Sequence, residues 1–149
     1  MNERVPSSTT KQELFRGSTV SVGMLSRVLV IVHGKKNPSS EDWVQVCAHI
    51  HNNLNVVRGL LVTTSGSAPN AAQRKAGLDL VPKNYEPPPA AVLTTALMVR
   101  GVLTALNWFL NDTHRAFRPD NVAGVAAHLK ITEKETVDLI AFAKALSPD

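Results

Sequence analysis

Apolar residues occur along this chain in two patterns, short continuous runs and longer stretches with helical spacing. Three runs are rich in apolar and β-branched residues: RVLVIVHG at 27–34, GLLVTT at 59–64 and AAVLTT at 90–95. Such runs are typical of strands that are buried on both faces, in a sheet with helices packed against it. The segments STVSV at 18–22 and HRAF at 114–117 predict two further short strands.

Between the first two buried strands, the spacing predicts an amphipathic helix. It starts at a serine cap within residues 37–42, where acidic residues complement the helix dipole. The residues of its apolar face are Trp43, Val46, Cys47, Ile50 and Leu54. A shorter helix of about two turns is expected to begin near Pro69, since proline suits a first helical turn.

Three more helices are predicted in the second half of the chain. The first covers residues 96–110, and the second starts at Pro119-Asp120. The pattern Thr132-x-x-Glu135 is a capping box for the last helix. The residues of this helix that are expected to face inward are Val137, Ile140 and Ala141.

The predicted order of elements is β-β-α-β-α-β-α-β-α-α. Strands that alternate with helices need crossover connections, which give a mainly parallel sheet. The sequence therefore predicts an α/β fold, with a mixed, mainly parallel sheet of roughly four to five strands and about five helices. Residues 1–15 are expected to be a flexible leader to a single domain at 16–149, in which the helical segment 131–147 is a candidate docking element.

The composition limits the classes of function. The chain of 149 residues is 44% hydrophobic and 19% charged, with a net charge of +4, which describes a globular domain with a mildly basic surface. Because the basic residues are scattered and aromatics make up only 5%, no nucleic-acid partner is expected. No apolar run approaches the roughly 20 residues that span a bilayer. With Cys47 as the single cysteine, we expect a cytoplasmic protein without disulfides, metals or cofactors.

The carboxyl ends of parallel strands meet at one edge of a sheet, where open α/β folds bind ligands. The loops that follow the three buried strands contain hydroxyls, glycines, cations and a helix start, a combination that suits an anion. The candidate residues for binding a protein partner or a small anion are Lys35, Ser65, Gly66, Ser67, Asn70, Gln73, Arg74, Thr94, Thr95 and Arg100. The alternative is that Ser65, Ser67 and Asn70 only close a turn and cap a helix.

A catalytic interpretation of the same loops is a small hydrolase or transferase, with Ser65 or Ser67 as nucleophile and His33 as base. The sequence contains no identifiable acid to orient His33, no P-loop and no G-x-S-x-G motif. His49 and His51 diverge by about 200° on a helix, so they cannot share a metal. A third hypothesis is a structural subunit, which forms a homo-oligomer or docks in a larger assembly.

The order of elements resembles that of the STAS domain, the fold of anti-sigma-factor antagonists, over residues 17–130. The segments VLVIVHG, LLVTTSGSAPNAAQRKAG and VRGVLTALNWF are similar to uncharacterised bacterial SpoIIAA-like proteins. In the antagonists, the strand before the second helix leads into an Asp-Ser-Ser-Gly loop, whose serine a partner kinase phosphorylates. The matching residues here are Thr-Ser-Gly-Ser at 64–67, with Thr64 in place of the acid. The resemblance implies a non-enzymatic regulatory module that is switched by phosphorylation of Ser65 or Ser67.

Overall fold

The computed structural model describes residues 10–96 and 113–149. Within these ranges the chain forms six strands and four helices. The strands are β1 (Gln12–Arg16), β2 (Val20–Leu25), β3 (Val28–His33), β4 (Gly59–Thr63), β5 (Ala90–Leu93) and β6 (His114–Phe117). The helices are α1 (Ser40–Asn53), α2 (Ala71–Asp79), α3 (Val122–Leu129) and α4 (Glu133–Ala145).

All six strands belong to one sheet, in the spatial order β1-β2-β3-β4-β5-β6. The pairs β1–β2 and β2–β3 are antiparallel, and the other three pairs are parallel. The predicted α/β class with a mixed, mainly parallel sheet is therefore confirmed. Because Val32 is in register with Thr63, and Thr63 with Leu93, the three buried strands end at the same edge.

The sheet begins earlier in the chain than predicted. The flexible leader predicted at 1–15 is wrong for residues 12–15, which belong to β1 and pair with β2. Leu14 and Phe15 of this strand pack against the apolar cluster around Val20 and Val22. This edge strand was not predicted because the composition of residues 1–15 is polar. An edge strand forms backbone hydrogen bonds on one side only, and this one packs only two large side chains against the core.

Residues 1–9 and 97–112 lie outside the described ranges. The helix predicted at 96–110 falls almost wholly on the second of these segments, and with it the candidate site residue Arg100. The described chain has six strands where the predicted order has five, because β1 was not predicted. Four of the five predicted helices lie in the described part of the chain.

One face of the sheet is covered by α3 and α4 and is called the α3/α4 face. Its strand residues include Val28, Val30, Val32, Leu61 and Leu93, and the helices contribute Val125, Leu129, Leu139 and Phe142. The approach is close at Gly23 of β2, where an added Cβ would lie 2.6 Å from a methyl carbon of Leu146 and 2.7 Å from the Phe142 ring. A side chain at position 23 would therefore push α4 away from the sheet.

The opposite face, called the α1/α2 face, carries the alternate residues of the same strands. Leu29, Ile31, Leu60 and Val62 lie here, and Val46 of α1 packs against them. Helix α2 lies beside α1, and the indole Nε1 of Trp43 donates to the carbonyl of Gln73 at 2.8 Å. The two faces thus divide the helices of the described chain into two layers around one sheet.

Local signals set the starts of three helices, two of them where they were predicted. Ser39 is the N-cap of α1, and its Oγ accepts from the backbone N–H of Asp42 at 3.1 Å. Thr132 and Glu135 form the capping box of α4. Helix α2 starts slightly later than predicted, at Ala71, because Asn70 supplies its N-cap.

The face of α4 that points inward differs from the prediction. Val137 is 53% exposed and Ala141 is also exposed, so their predicted inward orientation is wrong. The residues that α4 buries against its own sheet are Thr136, Leu139, Phe142 and Ala143. A helix with apolar residues on two sides fits more than one orientation, and here the contact with β2 and β3 selects it.

A buried carboxylate fastens α1 to the loop before β2. Asp42 accepts from the backbone N–H of Thr19 at 2.8 Å and from its hydroxyl at 2.5 Å. Burial raises the pKa of Asp42, but the hydrogen bonds from Thr19, Val20 and Ser39 outweigh it and leave the pKa below its usual value. None of the described helices is long and apolar enough to cross a membrane.

Candidate functional site

Two of the loops at the carboxyl edge of the sheet are joined by hydrogen bonds. The Ser67 hydroxyl donates to the carbonyl of Gly34 at 2.6 Å, and the backbone N–H of Ala68 donates to Asn37 Oδ1 at 3.1 Å. Both loops follow parallel neighbours, β3 and β4, so the register of the sheet brings them together. The loops therefore form one structure instead of two independent segments.

The turn after β4 is also fixed internally. The Thr64 hydroxyl donates to the Ser67 carbonyl at 2.5 Å and accepts from the N–H of Gly66 at 3.1 Å. Gly66 has a φ of 142°, a conformation that favours glycine. The backbone N–H of Thr64 donates to the carbonyl of Leu93 at 3.1 Å, which ties the turn to the end of β5.

Five exposed residues of these loops define what we call the edge surface. Its members are Lys35, Lys36, Ser65, Gly66 and Thr95. The backbone N–H of Lys35 donates to a carboxylate oxygen of Asp149 at 2.8 Å, so an acidic group already lies beside this surface. Sequence reasoning gave Lys36 no role in the site, although its pairing with Lys35 was visible.

The other candidate residues that lie in the described part of the chain have structural contacts. Asn70 and Gln73 form the capping box of α2, and Gln73 Nε2 also donates to the Pro38 carbonyl at 3.0 Å. Arg74 Nη1 donates to the Pro69 carbonyl at 2.8 Å. Thr94 is fully buried, and its hydroxyl oxygen accepts from the N–H of Ala96 at 3.0 Å. These contacts agree with the turn-and-cap alternative for Ser67 and Asn70, whereas Ser65 stays exposed.

A cavity of about 530 Å³ lies directly below these loops, on the α1/α2 face of the sheet. Its floor is formed by strand residues such as Leu29, Ile31, Leu60 and Val62, and its walls include residues of α1, α2 and the proline-rich segment 81–88. Thr64, Ser67, Ala68 and Pro69 of the β4 loop also line it. Volumes of about 300–1,000 Å³ and a mainly apolar lining are typical of ligand sites.

His33 lines this cavity and carries an unusual nitrogen. Its Nδ1 is buried and has no hydrogen-bond partner among residues 10–96 and 113–149. The ring stacks with Trp43, with the two ring centroids 6.5 Å apart. Burial lowers the pKa of His33 from 6.5 to about 4, so the imidazole is neutral at neutral pH.

Neither candidate serine is hydrogen-bonded to this histidine. The Ser67 hydroxyl donates to Gly34, and Ser65 lies at the exposed tip of the turn. Cys47 is buried on the inner side of α1, as predicted, and burial raises the pKa of its thiol. Within the described chain, His33 therefore forms no hydrogen-bonded pair with Ser65 or Ser67.

The cavity was missed by sequence reasoning, because its walls come from segments far apart in the chain. The nearest signal was the proline-rich segment 81–88, which follows α2 and contributes Pro82, Pro87 and Pro88 to the lining. Such a segment cannot form a helix or an inner strand that would fill the space.

Comparisons of the chain with protein-family models, with curated proteins and with solved structures find no match. The STAS-like architecture and role that the resemblance implies therefore stay a prediction. The geometry of the edge surface and of the cavity below it is what bears on function.

Proposed function

We propose that this protein is a non-enzymatic, STAS-like interaction module that binds a protein partner or a small anion at the edge surface. The observation that carries the proposal is the pair of hydrogen bonds between the two loops, from Ser67 to Gly34 and from Ala68 to Asn37. Loops that are ordered before binding lose little conformational entropy when a partner docks. A prearranged surface is what recognition requires.

The charge of the edge surface favours an acidic partner. Lys35 and Lys36 are both exposed, beside the Ser65 hydroxyl and the Gly66 turn. The side chain of Asp149 shows how a carboxylate binds here, since it accepts from the Lys35 N–H at 2.8 Å. An acidic side chain or small oxyanion of a partner would take the place of this carboxylate.

Exposure distinguishes between the two candidate phosphorylation sites. Ser67 is only 6% exposed and its hydroxyl is committed to Gly34, so a kinase would have to separate the two loops to reach it. Ser65 is exposed at the turn. Phosphorylation of Ser65 would add about −2 charge next to the two lysines and would compete with an acidic partner for them.

The test is a capture experiment from the native lysate with the full chain as bait. The bait variants are wild type, Lys35→Glu/Lys36→Glu and Ser65→Asp, with Lys134→Glu/Lys144→Glu as a charge-matched control on α4. Circular dichroism checks that each variant is folded. We expect a partner that is retained by wild type and by the control and is lost from both edge variants.

Two results would contradict the proposal. A partner that is retained equally by the edge variants would bind another surface. A partner that is lost only from the α4 control would place the interface on that helix. With the partner identified, Asp149→Ala is expected to tighten binding several-fold, since it removes the competing carboxylate.

A further inference from the structure

The cavity below the β4 loop has a distinct chemical character at the end nearest to the edge surface. His33 lies at the carboxyl end of β3, and Ser67 binds the carbonyl of the next residue, Gly34. Arg74 reaches the same loop, because its Nη1 donates to the Pro69 carbonyl at 2.8 Å. His33 and Arg74 both line the cavity, so this end combines an imidazole with a guanidinium.

Most of the other described residues that line the cavity are apolar. Side chains of the sheet, of α1 and of the turn after α1 surround it, among them Leu29, Ile50, Leu54, Val57, Leu60 and Val62. Arg74 and Lys83 are the cations among the described lining residues, and no aspartate or glutamate is found among them. A ligand with a hydrocarbon body and one negative charge would match this distribution.

The state of His33 makes it a hydrogen-bond donor to such a ligand. The neutral ring carries one proton, on either Nδ1 or Nε2. Nδ1 is buried without a partner in the described chain, and a buried N–H without an acceptor is more costly than a bare lone pair. The proton is therefore favoured on Nε2, which makes this nitrogen the hydrogen-bond donor of the neutral ring.

Arg74 adds the charge. One guanidinium nitrogen is used by Pro69, and a guanidinium carries five N–H donors in total, so further donors remain. Guanidinium groups bind carboxylates with two parallel hydrogen bonds, and they do so most strongly where water is excluded.

We propose that this cavity binds an apolar monocarboxylate, with its carboxylate between His33 Nε2–H and the Arg74 guanidinium and its hydrocarbon part along Leu60 and Val62. This inference goes beyond the proposed function, since the ligand lies beneath the edge surface and contacts different side chains. A neutral alcohol with the same chain would fill the apolar part but would leave Arg74 without its counter-charge.

The test uses octanoate and octanol as probes of the full chain at pH 7, both below their aggregation limits, with binding followed by backbone amide NMR shifts and by calorimetry. We expect saturable binding of octanoate at one site, with shifts at His33 and at residues of α1 and α2. Octanol should bind roughly tenfold more weakly, since it lacks the charge-assisted hydrogen bonds.

Three variants locate the site and its charge. Arg74→Gln is expected to remove most of the tenfold preference for octanoate over octanol, while the octanol affinity stays unchanged. Lys75→Gln is the matched control, because Lys75 is exposed and pairs with Asp79. Val62→Trp fills the cavity and is expected to abolish binding of both probes. If Val62→Trp does not fold, Ile50→Trp replaces it, with the NMR spectrum as the test of folding.

Several outcomes would overturn the proposal. These are the absence of saturable octanoate binding at millimolar concentration, equal affinity for octanoate and octanol, and binding that survives in a folded cavity-filling variant. An equal loss in Arg74→Gln and Lys75→Gln would show only a general charge effect. None of these results depends on Lys35, Lys36 or Ser65, so this proposal and the proposed function can fail separately.

Discussion

The two faces of the sheet are built from alternate residues of the same strands, yet they are packed in different ways. On the α3/α4 face Leu61 is fully buried, and α4 touches the backbone of β2 at Gly23. On the α1/α2 face its neighbour Leu60 is only partly buried and borders a cavity. The apolar residue type is the same, so the difference comes from what covers each face.

The contacts that hold the helices differ accordingly. Apolar side chains of α3 and α4 fill the space above their face. On the other side, hydrogen bonds help to position the elements: Asp42 binds Thr19, Trp43 binds the Gln73 carbonyl and the Tyr85 hydroxyl donates to the Leu54 carbonyl at 2.7 Å. Helices positioned in part by directional bonds can stay apart and leave room for a ligand.

Matched truncations of two adjacent leucines in β4 test most directly whether the two faces differ in packing. Leu61→Ala is expected to lower the free energy of unfolding by about 2–5 kcal/mol, because it leaves a hole in a filled core. Leu60→Ala should cost clearly less, because the lost side chain already borders empty space. Equilibrium denaturation in urea measures both, and equal costs would show that the two faces are equally well packed.

A second variant tests the polar attachment of α1. Asp42→Asn should cost about 1.5–3 kcal/mol, the range for hydrogen bonds to a charged group. Because the pKa of Asp42 is lowered in the folded state, its contribution is present at neutral pH and is lost as the pH falls through that lowered pKa. The variant should therefore differ most from wild type near pH 7, and a constant difference down to pH 2 would contradict this account.

Glycine substitutions should shift the stability in opposite directions on the two faces. Gly23→Ala is expected to destabilise by about 1–3 kcal/mol, since its methyl group would overlap Leu146 and Phe142. Gly77→Ala lies inside α2, where an added Cβ would meet Cys47 Sγ at 3.8 Å, an ordinary contact. It should stabilise by about 0.5–1 kcal/mol through helix propensity. Thermal unfolding of the pair checks the signs.

His33→Phe is also expected to have a small effect at neutral pH. Removing a buried nitrogen without a described partner should raise stability by about 1 kcal/mol, while octanoate binding weakens. A residue with a purely structural role would not combine these two changes. Unfolding in urea and calorimetry on the same sample measure both, and a loss of stability would count against this assignment.

The same variant predicts a pH dependence. The pKa of His33 is about 4 in the folded protein and 6.5 ordinarily, so the unfolded chain takes up the proton first as the pH falls. The stability of wild type relative to His33→Phe is therefore constant above about pH 6.5, falls as the pH drops towards 4 and levels off below it. His114 also has a lowered pKa, so the difference between wild type and His33→Phe isolates His33.

Local signals were predictable from the sequence, and arrangements between distant segments were not. The caps at Ser39 and Thr132 depend on neighbours three residues away, so the pattern alone identified them. Which side of α4 points inward depends on the sheet that it meets, and the prediction for Val137 was wrong. The position of the edge loops followed from strand polarity, whereas the cavity depends on how α1 and α2 lie over the sheet.

The hydrogen bond from the Ser67 hydroxyl to the Gly34 carbonyl joins two loops, and it has a thermodynamic consequence. The segment 64–69 is at once the rim of the edge surface and part of the cavity wall, so a movement of it changes both sites. If a bound carboxylate and a docked partner prefer different positions of this segment, each lowers the binding affinity of the other by the same factor. If they prefer the same position, each raises the affinity of the other. Ser67→Ala removes this hydrogen bond, so the factor by which each ligand changes the affinity of the other should move closer to one.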